Sequence, residues 1–126
     1  MPVVLVVDDE ALIRWSLSER LAEEGYTVRQ ASSGAEAVAV LAALAGRRVI
    51  VVLDIRLPDV NDLELFRRIR ADRPEVPVIV MTAHGSPEDA REALASGAIG
   101  FIGKPFDVAR MLALVGKARA ESAGPS

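Results

Sequence analysis

The chain has 126 residues, a hydrophobic content of 51% and a formal net charge of -3, which together predict one folded domain with a sizeable core. The acidic balance argues against a nucleic-acid-binding surface, and an aromatic content of 4% argues against base stacking. The absence of cysteine excludes a disulfide framework and, with a single histidine, disfavours a structural zinc site. No apolar run approaches a membrane span and there is no signal-peptide pattern, so we expect a cytoplasmic protein without membrane contact.

Five short apolar runs predict five β-strands. The predicted strands cover residues 2–7, 26–31, 49–53, 78–81 and 99–102. Near-continuous β-branched runs such as 49–53 are typical of strands buried on both faces. Apolar and polar residues alternate in 26–31, which indicates a strand with one solvent-exposed face.

A helix is predicted after each strand, and capping residues mark where these helices begin and end. The predicted starts are the capping box Ser33 to Glu36, the segment Asn61 to Glu64, Ser86 before Pro87, and Asp107. The predicted stops are Gly25, Gly46 and Gly97. This alternation predicts an α/β fold: a five-stranded parallel sheet in the flavodoxin-like order 2-1-3-4-5, with five helices on both faces.

Polar residues follow four of the strands at their carboxyl ends. They are Asp8 and Asp9, Asp54, Thr82, and Lys104. In the order 2-1-3-4-5 the first and third strands are neighbours, so Asp8 and Asp9 should lie beside Asp54. Three carboxylates in one crevice repel one another and invite a hard divalent cation such as Mg²⁺. With Thr82 and Lys104 opposite, this pattern predicts a phosphoryl-transfer site with a carboxylate nucleophile.

Each of these residues also has a simpler structural interpretation when taken alone. Asp54 could merely cap the following turn, and paired aspartates after a strand are more often a helix cap. A lone threonine is usually a turn residue and a lone lysine is usually solvated. The convergence of all of them at one edge is what favours a functional site.

Four motifs in this order and spacing resemble the receiver domains of two-component response regulators. They are VVDDE at 6–10, VLDIRLPD at 52–59, VMTA at 80–83 and KPF at 104–106. The resemblance covers nearly the whole chain. The phrases LIRW, DIRLP and MTAH look most like the receivers of nitrogen-regulatory transcription activators.

The resemblance implies a role for each matching residue at the acidic edge. Asp54 would be the phosphoacceptor and would take a phosphoryl group from a phosphohistidine of a sensor histidine kinase. Asp9, Asp54 and the backbone carbonyl of Arg56 would ligate Mg²⁺, with Asp8 acting through water.

The resemblance also implies a conformational switch. Thr82 and Lys104 would bind the phosphoryl group, and Phe101 would turn inward as Thr82 moves. The fourth helix, fifth strand and fifth helix would then present a partner surface, through which a homodimer could form. The peptide bond between Lys104 and Pro105 would be cis.

The same resemblance sets the expected domain organisation. Residues 1–120 would form the receiver domain, and residues 121–126 would be a tail or the start of a linker to an output domain beyond Ser126. The receiver would not itself contact nucleic acid. It would act as a phosphoacceptor switch rather than an ordinary enzyme, although it could catalyse its own dephosphorylation.

Two departures from the family pattern accompany this interpretation. Asp62 stands where the family usually has glycine, which adds negative charge in a loop whose backbone often needs positive φ. Gly100 and Gly103 flank the fifth strand, where larger residues are common, so we expect a looser strand.

Three other functions deserve comparison with the signalling switch. An enzyme of the haloacid-dehalogenase type needs D-x-D at its nucleophile, but Arg56 stands two residues after Asp54. A dinucleotide-binding domain fails because no G-x-G-x-x-G follows the first strand. An interaction module with a vestigial pocket is the remaining alternative, and Asp62 is its main support.

Overall fold

A computed structural model of the chain describes residues 2–55, 63–82, 87–103 and 107–122. The strands are β1 (Val3–Val7), β2 (Thr27–Ala31), β3 (Val49–Asp54), β4 (Val78–Thr82) and β5 (Gly100–Gly103). The helices are α1 (Ala11–Glu23), α2 (Gly34–Ala43), α3 (Glu64–Asp72), α4 (Pro87–Ala95) and α5 (Val108–Ser122).

The five strands form one parallel sheet in the order β2-β1-β3-β4-β5. This confirms the predicted fold and strand order. Every residue of β1, β3 and β4 is buried, as their apolar composition predicts for central strands covered on both faces. The edge strand β2 is mostly exposed, which accounts for its alternating and more polar sequence.

Side chains on the two faces of the sheet form two hydrophobic clusters. On one face, Leu41 of α2 and Phe66 of α3 pack against odd-numbered residues of β1 and β3 such as Val51. On the other, Leu17 of α1 and Met111 of α5 pack against even-numbered residues of the same strands. The alternation of side chains along a strand thus divides the helices between the two faces.

Local capping chemistry fixes several helix boundaries as predicted. The Ser33 hydroxyl accepts a hydrogen bond from the backbone N–H of Glu36 at 3.1 Å. Asp107 Oδ1 accepts one from the N–H of Ala109 at 2.9 Å and a longer one from Arg110. The predicted stops Gly25, Gly46 and Gly97 have φ values of 94°, 82° and 106°, a region that glycine enters without a steric penalty.

Two predicted boundaries differ in the structure. The N-cap of α3 is Leu63 rather than Asn61, and the Leu63 side chain is buried in the core. The rest of that predicted cap, including Asp62, lies outside the described residues. Helix α5 continues to Ser122, so Glu121 and Ser122 extend the helix into the segment predicted as a tail.

The two glycines of β5 have different surroundings. A Cβ built on Gly100 would lie 2.8 Å from Cδ2 of Leu114 on α5, so this position is already closely packed. A Cβ on Gly103 would meet nothing within 4 Å. The expectation of a loosely packed strand is therefore wrong at Gly100, where Leu114 fills the space. At Gly103 it stays a prediction.

Candidate functional site

Buried polar side chains gather at the carboxyl edge of the sheet. Asp8, Asp54 and Thr82 have relative exposures of 0%, 2% and 4%. In the part of the chain that the structure describes, Ser18 is the other buried polar residue. Three of four such groups therefore lie at one edge, where parallel strands place ligand sites.

Strand register brings these side chains to the same level. Val7 pairs with Leu53, so Asp8 and Asp54 each come one residue after a paired position on adjacent strands. Asp54 in turn pairs with Met81, the residue before Thr82. The Ile55 N–H donates to the Met81 carbonyl at 3.2 Å, which keeps β3 beside β4 past Asp54. Asp8, Asp54 and Thr82 therefore lie at the same level at the ends of three neighbouring strands.

The turn between β1 and α1 holds a compact acidic group. Carboxylate oxygens of Asp8, Asp9 and Glu10 lie within 4.8 Å of one another, with Asp8 buried and the other two exposed. Asp54, on the neighbouring strand, is not a member of this group. Asp8 and Asp9 were predicted as site residues, whereas Glu10, which follows them directly in the motif at 6–10, was not.

The candidate ligand atoms in this acidic group are suited to a hard divalent cation. All of them are carboxylate oxygens, the type that Mg²⁺ and Ca²⁺ prefer. The most buried member, Asp8, is oriented by a 2.8 Å hydrogen bond from the Glu10 N–H to its Oδ1. Asp8 and Asp9 could therefore hold Mg²⁺ at the rim, with Asp54 approaching from β3.

The other predicted site residues are placed only in part. Thr82 pairs with Gly103, the residue immediately before Lys104 in sequence. Lys104, Pro105 and Arg56 lie outside the described residues. Phe101 pairs with Val80 and is half-buried against the α2–α3 side of the core. Its carbonyl accepts a hydrogen bond from Arg110 Nε at 3.3 Å, which joins β5 to α5.

A family model for the response regulator receiver domain matches residues 4–116. The chain belongs to this family. Receiver domains are the phosphoacceptor switches of two-component signalling, and this assignment favours such a switch over an enzyme of the haloacid-dehalogenase type. It also confirms the family predicted from the motifs at 6–10, 52–59 and 80–83.

The chain is 43% identical over 117 residues to the DNA-binding transcriptional regulator NtrC of Escherichia coli K12. That match covers 92% of this chain and 24% of the regulator, so the chain spans about a quarter of its curated relative. Similarity to NtrC-type regulators confirms the predicted relation to nitrogen-regulatory activators.

Solved receiver structures share the fold. The receiver domain of NtrX from Brucella abortus has a TM-score of 0.84 and 37% identity, covering 91% of this chain and 96% of that one. The beryllofluoride-activated NtrC4 receiver domain dimer, solved in solution, has a TM-score of 0.88 and 39% identity, covering 98% and 100%. Among the described residues of the present chain, no helix has both the length and the apolarity to cross a membrane.

Proposed function

We propose that the domain accepts a phosphoryl group on Asp54 from a sensor histidine kinase in the cytoplasm and thereby controls an output domain beyond Ser126. The observation that carries the proposal is the burial of Asp8, Asp54 and Thr82 at three adjacent strand ends. Burying like-charged carboxylates is costly, so their retention at this edge points to chemistry rather than to folding.

The transfer itself is a nucleophilic displacement at phosphorus. An oxygen of Asp54 forms the new P–O bond while the P–N bond to the kinase histidine breaks, and the histidine keeps the electron pair. Bound Mg²⁺ would supply positive charge to the phosphoryl oxygens. We assign its ligands to Asp9, Asp54 and the Arg56 carbonyl, with Asp8 acting through water.

Two further residues would hold the transferred group. The Thr82 hydroxyl, one residue beyond the partner of Asp54, would donate a hydrogen bond to a phosphoryl oxygen. Lys104, which follows β5 in sequence, would hold another. Attack of water on the phosphorus of the acyl phosphate would break the P–O bond to Asp54, release inorganic phosphate and restore the carboxylate. The domain would thereby have its own route to dephosphorylation.

The conformational change would begin at Thr82 and extend to the face formed by α4, β5 and α5. Thr82 is paired with Gly103, and Phe101 lies two residues earlier on the same strand, so a shift of β4 toward the phosphate reaches β5 directly. The NtrC4 receiver described above is a dimer in its beryllofluoride-activated form. We propose that phosphorylation likewise favours a homodimer of this domain through the α4–β5–α5 face.

Phosphorylation with a small donor tests the proposal without the kinase. Incubation with acetyl phosphate and Mg²⁺, followed by intact mass measurement, should add one phosphate that hydroxylamine removes. The Asp54→Asn variant should add none. Asp107→Asn is the matched control, because Asp107 is an exposed carboxylate that caps α5 and its replacement should not affect labelling.

The outcomes separate a working switch from a vestigial pocket. Phosphate on another residue, or none in the presence of Mg²⁺, would support the interaction module instead. Labelling of Asp54 without a change in the NMR signals of Phe101 on adding beryllofluoride would leave the chemistry intact and remove the proposed switch. Lys104→Ala should fold normally yet fail to show that change.

A further inference from the structure

Arg14 on α1 contacts the turn that carries the acidic group. Its Nη1 donates to the backbone carbonyl of Asp8 at 2.7 Å, and its side chain is half-buried. A hydrogen bond from a guanidinium is charge-assisted, and a distance this short places it among the stronger ones. The backbone N–H of Arg14 also donates to the Glu10 carbonyl at 3.0 Å, so this residue is tied to the turn twice.

The position of Arg14 near the start of α1 is not one that stabilises the helix. Arg14 is the fourth residue of α1, close to the positive end of the helix dipole, where a cation is disfavoured. The first turn of α1 contains no acidic residue to offset it. The hydrogen bond to the Asp8 carbonyl therefore provides a compensating interaction for Arg14.

The bond from Arg14 completes a set of restraints on Asp8. The Asp8 N–H donates to the Ala31 carbonyl at 3.1 Å, and Asp8 Oδ1 accepts from the Glu10 N–H at 2.8 Å. The Asp8 carbonyl shares one planar peptide unit with the N–H of Asp9. Holding that carbonyl consequently orients the chain as it enters Asp9, the residue proposed as a direct metal ligand.

We infer that Arg14 is a positioning residue for the metal site. This inference rests on the proposed binding of Mg²⁺. By fixing the peptide between Asp8 and Asp9, Arg14 gives their carboxylates the geometry that a small cation requires. Mg²⁺ demands near-ideal octahedral coordination, whereas Ca²⁺ accepts flexible arrangements with more ligands. A loosened turn should therefore weaken binding of Mg²⁺ more than that of Ca²⁺.

Geometry and charge predict opposite effects for the loss of Arg14. Removing a cation beside carboxylates would, through charge alone, raise the affinity for Mg²⁺ and Ca²⁺ together. Removing the restraint on the Asp8 carbonyl would lower the affinity for Mg²⁺ selectively. The ratio of the two affinities therefore distinguishes a positioning role from a charge effect, and a general loss of stability would not change it.

The experiment is calorimetric titration of the unphosphorylated 126-residue chain with Mg²⁺ and, separately, with Ca²⁺. Arg14→Met should bind Mg²⁺ about 10-fold more weakly, as is typical when a group that orients a ligand is lost, and Ca²⁺ only slightly more weakly. Arg14→Lys keeps a donor and should lose less. Arg20→Met is the matched control, since Arg20 is an exposed α1 residue paired with Glu23, and it should bind as the wild type does.

Unchanged or raised Mg²⁺ affinity in Arg14→Met, or equal losses for Mg²⁺ and Ca²⁺, would overturn the positioning role while leaving the metal site intact. A wild-type domain that binds no Mg²⁺ would overturn both the metal site and this inference. If Arg14→Met fails to fold, Arg14→Gln decides, because the shorter side chain lacks the guanidinium that reaches the Asp8 carbonyl. A lowered ratio of Mg²⁺ to Ca²⁺ affinity in that variant supports the inference, and an unchanged ratio refutes it.

Discussion

The two edges of the sheet use charged side chains in opposite ways. At the amino edge, guanidinium groups donate to backbone carbonyls at or just beyond the ends of helices: Arg73 bonds Leu44 and Arg47, and Arg48 bonds Arg119 in the last turn of α5. At the carboxyl edge, carboxylates gather at strand ends and are buried there.

This difference between the edges indicates that charged side chains at the amino edge stabilise the fold, whereas those at the carboxyl edge are suited to chemistry. A guanidinium at the amino edge satisfies carbonyls that the ends of helices leave without intrahelical partners, so it stabilises the fold. The carboxylates at the other edge bear like charges in a confined space, which costs stability that proteins accept where chemistry requires it. Substitutions at the two edges should therefore change the free energy of unfolding in opposite directions.

The largest effect should come from the amino edge. Arg73 is 17% exposed at its side chain and bonds two carbonyls, so Arg73→Met should lower the free energy of unfolding by about 2 kcal/mol. Arg68→Met is the control, because Arg68 is 60% exposed and its ion pair with Asp72 should contribute less than about 1 kcal/mol. Urea denaturation measures both, and equal losses would contradict the distinction.

The opposite sign is expected at the carboxyl edge. Asp54→Asn removes one buried charge and should raise the free energy of unfolding by about 1 kcal/mol in metal-free buffer at neutral pH. Excess Mg²⁺ should reduce this advantage, because metal binding stabilises the wild type. Asp72→Asn, an exposed carboxylate of α3, should change stability by less than about 0.5 kcal/mol. If Asp54→Asn were less stable than the wild type in EDTA, the buried Asp54 carboxylate would not be costly to the fold.

Effects no larger than that of Asp54→Asn are expected at the two ends of β5. Gly100→Ala, at the amino end, should cost about 1 kcal/mol because the new methyl must displace Leu114. Gly103→Ala, at the open carboxyl end, should be neutral or stabilising by up to about 1 kcal/mol. Adding Leu114→Ala to Gly100→Ala should cost less than the two single changes summed. Strict additivity in thermal melts would mean that the two positions do not compete for space.

The sequence by itself determined the strand order, most helix boundaries and the edge at which the site lies. These features depend on local signals: apolar runs, capping residues, positive-φ glycines and the polar residue that ends each strand. Because parallel strands bring their carboxyl ends together, Asp8, Asp54 and Thr82 could be placed at one edge without coordinates.

Only the tertiary structure decided which side chains support the two edges of the sheet. Arg14 reaches the carbonyl of Asp8 and Arg73 reaches that of Leu44, 29 residues earlier in the chain. An arginine side chain is long and has many rotamers, so its spacing in sequence does not specify its acceptor. Leu114 fills the space beside Gly100 and Leu63 turns into the core for the same reason: packing between distant elements selects the conformation, and no local pattern encodes it.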